Sequence, residues 1–160
     1  LDTTEASTDN GTFWNDNTPS NIHFQLASGQ ARINASGGTY VAYCFHSVDG
    51  YSKVGSYTGN GSTDGTFVYT GFRPAYVLFK SSTEVEGWYV YDSERNDYNL
   101  ADDYLRPESS AAEGTGDNRN IDMLSNGFKL RGSDGAANLS GATYIYLAFA
   151  ETPFKYSNAR

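Results

Sequence analysis

The sequence predicts an all-β protein, an antiparallel β-sandwich of jelly-roll-like character carrying a duplicated hairpin unit. Composition points there first. Of 160 residues, Gly, Ser, Thr and Asn supply 61 and Tyr, Phe and Trp supply 24, the mixture of short aromatic strands joined by polar turns. The second observation is a gapless self-match at an offset of 104 residues. Phe24 to His46 lies over Phe128 to Ala150 with eight of 23 positions identical: Phe24/Phe128, Leu26/Leu130, Asn34/Asn138, Ser36/Ser140, Gly37/Gly141, Thr39/Thr143, Tyr40/Tyr144 and Phe45/Phe149. A fixed offset of this kind marks a repeated supersecondary unit. The third is the lack of helical patterning. The only helix-compatible stretch runs from Asn99 to Glu113, where Pro107 and two serines leave room for a few turns at most.

Each copy of the repeat reads as a hairpin with a long connection: a Phe-x-Leu strand, a Gly/Ser/Asn loop, then a Tyr-rich strand ending near Phe. With period-two alternation, Val41, Tyr43 and Phe45 in one copy and Ile145, Leu147 and Phe149 in the other form the expected core face. The opposite face, Tyr40, Ala42, Cys44 and His46 against Tyr144, Tyr146, Ala148 and Ala150, is also largely apolar, so the strand is expected to be covered on both sides. Between the copies, strands are expected over Lys53 to Thr58, Phe67 to Thr70, Ala75 to Lys80, Trp88 to Asp92, Ile121 to Leu124 and Phe128 to Arg131. They are separated by turn signals at Gly59-Asn60-Gly61, Asp64-Gly65, Gly71 to Pro74, Glu86-Gly87 and Asn126-Gly127. Ser125-Asn126-Gly127 is the clearest tight hairpin, and Val77 and Phe79 should share a buried face. The stretch from Ser93 to Asn120 holds no strand pattern, and irregular segments of that length usually carry function or move. If the two hairpins end equivalent units, residues 1–46 are the C-terminal hairpin part of a first unit, packed on the rest, and residues 47–160 are a complete module. VDGYSK after the first copy and TPFKYS after the second run into a similar Tyr-Ser segment.

The net charge of −8 and pI near 4.5 argue against nucleic acid, because phosphate binding needs clustered Lys and Arg and the 11 basic residues here are scattered. No apolar run approaches the roughly 20 residues of a membrane span, and no secretory signal is evident; a start at Leu1 reads as a processed chain or an excerpt. The single cysteine excludes a disulfide framework, and Cys44, aligned with Ala148, is expected in a small buried slot. Catalytic groups are few. His23 and His46 sit in no hydrolase motif, and Glu84-Val-Glu86 lacks a third acidic partner, so the chain is read as non-enzymatic and without a cofactor. Asp97, Asp102 and Asp103, or Asp117, Asn118 and Asp122, match no calcium-loop spacing and read as solvated acidic loops, so no metal site is assigned. Sequons at Asn10, Asn34, Asn60 and Asn138 follow from composition.

The most suggestive site is YDSERNDYN, Tyr91 to Asn99. Asp92, Arg95, Asn96 and Tyr98 are the side-chain types that bind sugars, polar groups taking the hydroxyls while a ring stacks on the apolar face. The competing reading makes Tyr91 a core residue and pairs Arg95 with a carboxylate.

GTYVAYCF, GYSKVGSYTGNGSTDGTFVYTGFRPAYVLFK, GWYVYDSERNDYN, IDMLSNGFKLRGS and ATYIYLAFAETPFKYSNAR together resemble a repeated β-sandwich module of large virion proteins of marine bacteriophages. Those proteins are tail-fibre-like or virion structural proteins in which such modules often follow a concanavalin-like or laminin-G-like domain. The resemblance covers nearly the whole chain and implies a structural or adhesive component of an extracellular phage particle. Its partners would be other virion subunits or copies of itself, with host surface glycan as a ligand and neither nucleic acid nor membrane as a target. The alternative is a carbohydrate-binding module of a bacterial surface adhesin or secreted enzyme.

Overall fold

The computed structural model describes residues 4, 6–7, 18–28, 33–96 and 98–154. The chain divides into two compact units, one comprising Leu1–Ser7 with Phe45–Arg160 and the other Thr8–Cys44.

The larger unit is an antiparallel sandwich. Its strands are β1 (Ser52–Thr58), β2 (Phe67–Tyr69), β3 (Pro74–Ser81), β4 (Trp88–Asp92), β5 (Asp103–Tyr104), β6 (Gly114–Thr115), β7 (Ile121–Leu124), β8 (Gly127–Leu130) and β9 (Thr143–Ala150), with a single turn of helix, α1 (Gly135–Asn138), before β9. One sheet has four strands in the order β1-β9-β3-β4 and the facing sheet three in the order β2-β8-β7, while β5 and β6 pair with each other. The strands expected between Lys53 and Arg131 fall within a residue or two of these bounds. No helix forms over Asn99 to Glu113, where the backbone instead gives the short β5, paired with β6 just beyond it; strands of two residues are too brief to leave an alternating signature. Among the described residues no helix is long and apolar enough to cross a membrane.

The core is an aromatic stack between the sheets. Tyr57, Val77, Phe79, Tyr89, Tyr91, Tyr144, Tyr146 and Ala148 point inward from the four-stranded sheet, and Val68, Ile121, Met123, Phe128 and Leu130 from the other. The Tyr57 and Tyr144 rings stack at 4.8 Å, Phe79 and Tyr91 at 5.6 Å, and Phe128 meets Tyr57 and Tyr146 edge-on at 6.1 and 5.5 Å across the sandwich. Such pairs contribute about 1 kcal/mol each beyond area burial. Tyrosines serve here because a phenol buried to its tip still needs an acceptor. Tyr57 donates to Ala137 O at 2.8 Å, Tyr91 to Arg119 O at 2.9 Å, and Tyr144 to Gly135 O at 2.6 Å while accepting from Leu139 N. Two of these rings therefore hold α1, whose Ala136 and Ala137 are fully buried and whose first turn is capped by Asp134.

Three expectations are corrected. First, the Phe-x-Leu strand and the Tyr-rich strand are not a hairpin: β8 pairs with β2 and β7, whereas β9 pairs with β1 and β3, and α1 carries the chain from one sheet to the other. Second, the core face of β9 is Tyr144, Tyr146 and Ala148, and Ile145, 43% exposed, lies on the outer face with Leu147 and Phe149. Both faces are apolar, so alternation alone could not orient the strand; inward, the Tyr144 hydroxyl finds an acceptor on α1 at Gly135 O. On the outer face, Val54, Leu147, Leu78 and Val90 form one cross-strand row, and Phe45 and Tyr51 pack edge-on against Phe149. Third, the first copy of the repeat forms no strand in residues 24–28 and 33–46, and Cys44 is exposed rather than buried. β9 is a strand because β1 and β3 flank it, and no described strand flanks the first copy.

Asn138 is the polar keystone of the sandwich. Fully buried, it accepts from Asn60 N at 2.9 Å and places its amide nitrogen 2.9 to 3.0 Å from Asn60 Oδ1, Ser62 O and Gly132 O. Asn138→Ala strands those groups, and urea denaturation should show a loss of about 3 kcal/mol; a loss under about 0.5 kcal/mol would show that water replaces the amide. A second expectation concerns alkali. Burial pushes the phenols of Tyr57 and Tyr91 well above their ordinary range, and raises Tyr144 and Tyr146 in the same direction. A phenol whose folded pKa is raised contributes stability fully present below the ordinary value near 10 and lost as pH climbs past it. Phenolate absorbance at 295 nm should therefore show these rings ionising together with loss of the near-ultraviolet circular dichroism, not before it.

Candidate functional surface

The irregular stretch after β4 is held by its own polar groups. Asp92 Oδ1 accepts from Glu94 N at 2.9 Å, forming the turn that follows the strand. Arg95 pairs with Glu113 at the surface, an ion pair contributing less than about 1 kcal/mol. Asn96 acts as a clamp: its amide nitrogen donates to Asp102 Oδ1 at 3.2 Å and Asp103 Oδ2 at 2.9 Å, and its oxygen accepts from Asp103 N at 3.1 Å. Tyr98 is 85% exposed. Of the four sugar-binding candidates, Asp92, Arg95 and Asn96 thus spend polar groups inside the loop, and Tyr98 presents its ring to solvent. Tyr91 is a core residue.

Farther along, Asn99 grips β7 from both sides, donating to Met123 O at 3.0 Å and accepting from Met123 N at 2.9 Å. Arg119 closes the loop onto the sandwich. Its Nε donates to Asp134 Oδ1 at 2.9 Å and its Nη1 to the Tyr104 hydroxyl at 2.8 Å, while the guanidinium lies 5.3 Å from the Tyr89 ring centre and 5.6 Å from that of Tyr104. Tyr104 in turn donates to Asp117 Oδ2 at 2.6 Å; burial first, and then that bond to a carboxylate, raise its phenol pKa. Asp97 lies outside the described residues; Asp102 and Asp103 are bonded to Asn96, Asp117 to Tyr104 and Arg119, and Asp122 to Arg131. Among the described residues, no three His, Cys, Asp or Glu side chains gather as metal ligands would.

A second surface escaped the sequence reading. The outer face of the three-stranded sheet carries Phe67, 43% exposed, and Tyr69, 63% exposed, on the same side of β2 with Val68 buried between them. Residues two apart on a strand stand about 7 Å apart, so the rings form a platform on a rigid element. Gly127 makes it possible. It pairs with Tyr69, and a Cβ there would lie 3.0 Å from the Phe67 ring and 2.1 Å from Val68 O. Beside the rings the same face places Lys129 and Asp122, cross-strand partners. Lys129 is paired with Asp64, and Arg131 lies 3.2 Å from Asp122 and 4.0 Å from Asp64. The hydrogen bond from Lys129, and then its charge, hold the Asp64 carboxyl below its usual range. Two exposed rings flanked by ionised donors and acceptors can stack on an apolar face while the charged groups bond hydroxyls. The signal was hidden because Phe-Val-Tyr reads as three apolar residues; only the register on β8 shows which two face outward.

No curated protein and no solved structure matches the chain. Residues 1–153 match the model of one protein family, a span that includes both copies of the repeat, and the chain belongs to that family, described as "Domain of unknown function (DUF7483)".

Proposed function

We propose that the chain is a non-enzymatic structural and adhesive module of a phage particle, built into a tail fibre, receptor-binding or decoration protein, that contacts host surface glycan through the Phe67–Tyr69 face. The observation that carries the glycan reading is the pair of exposed rings on β2 with Lys129, Asp122, Asp64 and Arg131 beside them. Saccharide recognition needs a rigid aromatic surface bordered by groups that both donate and accept, and a sheet face supplies it without the ordering cost of a loop. The placement in a virion rests on the sequence resemblance of GTYVAYCF, GWYVYDSERNDYN and the segments between and after them. A carbohydrate-binding module of a bacterial adhesin or secreted enzyme would use the same face, and neighbouring genes separate the two: capsid, portal or tail genes against glycan-degradation genes.

The glycan contact is tested by binding to an array of bacterial surface polysaccharide fragments. Phe67→Ala and Tyr69→Ala should each weaken retention at least about 10-fold, the loss of one stacking ring, with thermal unfolding little changed because both rings are already exposed. Arg95→Ala and Tyr98→Ala probe the loop site in parallel. Loss in the loop variants with β2 variants unaffected moves the contact to Asp92, Arg95, Asn96 and Tyr98; no retention by the unaltered chain on any glycan leaves a purely structural role.

A further inference from the structure

We propose that residues 34–46 are the closing strand and strand-entry turn of another copy of this sandwich, and that Tyr40 to His46 docks as a central strand between that copy's counterparts of β1 and β3. The proposal rests on the repeat and is independent of saccharide binding.

The described residues of the first copy lack strand pairing, yet they keep the turn that, in the second copy, leads into β9. Gly38 N donates to Ala35 O at 3.0 Å, as Ala142 N does to Leu139 O at 3.1 Å. Ala35 N donates to the Tyr40 hydroxyl at 2.9 Å, as Leu139 N does to the Tyr144 hydroxyl at the same distance. Gly37 and Gly141 both adopt the left-handed region, with φ of 75° and 82°, which favours glycine. The Asn34 amide donates to Ala27 O at 3.0 Å, and Asn138 donates to Gly132 O at 2.9 Å. Each pair lies 104 residues apart, apart from the one-residue shift of the last acceptor, so the self-match extends from sequence to hydrogen-bond geometry.

What the first copy lacks is the surroundings. Val41 is 74% exposed, Tyr43 82% and Phe45 56%, and Asn34 is exposed where Asn138 is fully buried. In the second copy, β1 and β3 bond both edges of the strand and the Gly59–Ser62 turn receives the Asn138 amide. A sandwich identical to this one but without its own β9 offers all of these groups to residues 34–46. By the register of β9, Tyr40, Ala42 and Cys44 turn inward and Val41, Tyr43 and Phe45 outward, which puts Cys44 at the place of Ala148, fully buried. The occupant is thus a copy of the module whose chain leads into Phe24 as this one leads from Gly127 into Phe128. A complete copy, with its own β9 already seated, leaves no room.

The test joins residues 47–127 ahead of residues 24–160, so that Phe24 follows Gly127, and follows Cys44 with a thiol-reactive dye. In the 1–160 chain Cys44 should react as an exposed thiol. In the joined protein it should react at least about 100-fold more slowly, limited by opening of the sheet, and at the rate of a cysteine placed in the 1–160 chain by Ala148→Cys in a Cys44→Ala background. Asn34→Ala should restore fast labelling in the joined protein and change nothing in the 1–160 chain. Equal Cys44 rates in the joined protein and the 1–160 chain overturn the proposal, whether because the strand does not dock or because the added copy does not fold around it. Protection that survives Asn34→Ala overturns the assigned register.

Discussion

The sandwich depends on the seating of β9. It is the second strand of the four-stranded sheet, bonded along its length to β1 and β3, and its inward row supplies two tyrosine rings to the core, Tyr144 and Tyr146. Tyr144 stacks on Tyr57 and its hydroxyl reaches past the sheet to the backbone of α1. Burying a phenol without an acceptor costs more than the ring gains from a modest contact, so the ring, the helical turn and the strand must form together. Asn138 extends this dependence to the far loop: the residue that ends α1 also supplies the groups that hold the Gly59–Ser62 turn. Remove β9 and the helix, the turn and the tyrosine stack lose their partners in one step, the behaviour of a cooperative unit.

Strand positions were legible because they depend on local chemistry. Turn glycines and asparagines punctuate runs of Val, Tyr and Phe, and Trp88–Asp92 and Ile121–Leu124 could be read directly. Strand partners were not legible. β8 and β9 are neighbours in sequence separated by a polar loop, which reads as a hairpin, yet the loop coils into α1 and crosses between sheets. Orientation failed for a related reason. Tyr144, Tyr146 and Ala148 on one side and Ile145, Leu147 and Phe149 on the other are similarly apolar, and the choice between them rests on the backbone partners of the Tyr144 hydroxyl, Gly135 O as acceptor and Leu139 N as donor, which the strand pattern does not show.

The same contrast governs the candidate sites. YDSERNDYN has the composition of a sugar site, but composition does not say where the polar groups point. Asn96 is committed to Asp102 and Asp103, and Arg95 to Glu113. Conversely, Phe67 and Tyr69 have the composition of core residues and stand on the surface, because Val68 takes the single inward position and Gly127 leaves the neighbouring strand flat enough for a ring to lie across it. Arg119 shows that a cluster of charge and aromatic rings can be structural: its bonds to Asp134 and Tyr104 fasten the loop to the helix cap.

The Cys44 and Val41 exposures and the turn geometry at Gly37 separate two levels of folding information. The turn from Asn34 to Tyr40 keeps its hydrogen bonds without flanking strands, so those bonds are encoded within seven residues. The strand that follows is not locally encoded, since Val41, Tyr43 and Phe45 alternate as well as any strand here and still lack a ladder. Its ladder needs edges, and edges belong to whichever sheet lacks a strand at that place. The family match spans both the turn-bearing first copy and the second one. The sheet, in contrast, closes only where a strand has neighbours on both sides. Under the docking proposed for residues 34–46, successive copies would be linked through a shared strand, a connection whose strength comes from backbone hydrogen bonds and core burial rather than from a flexible linker.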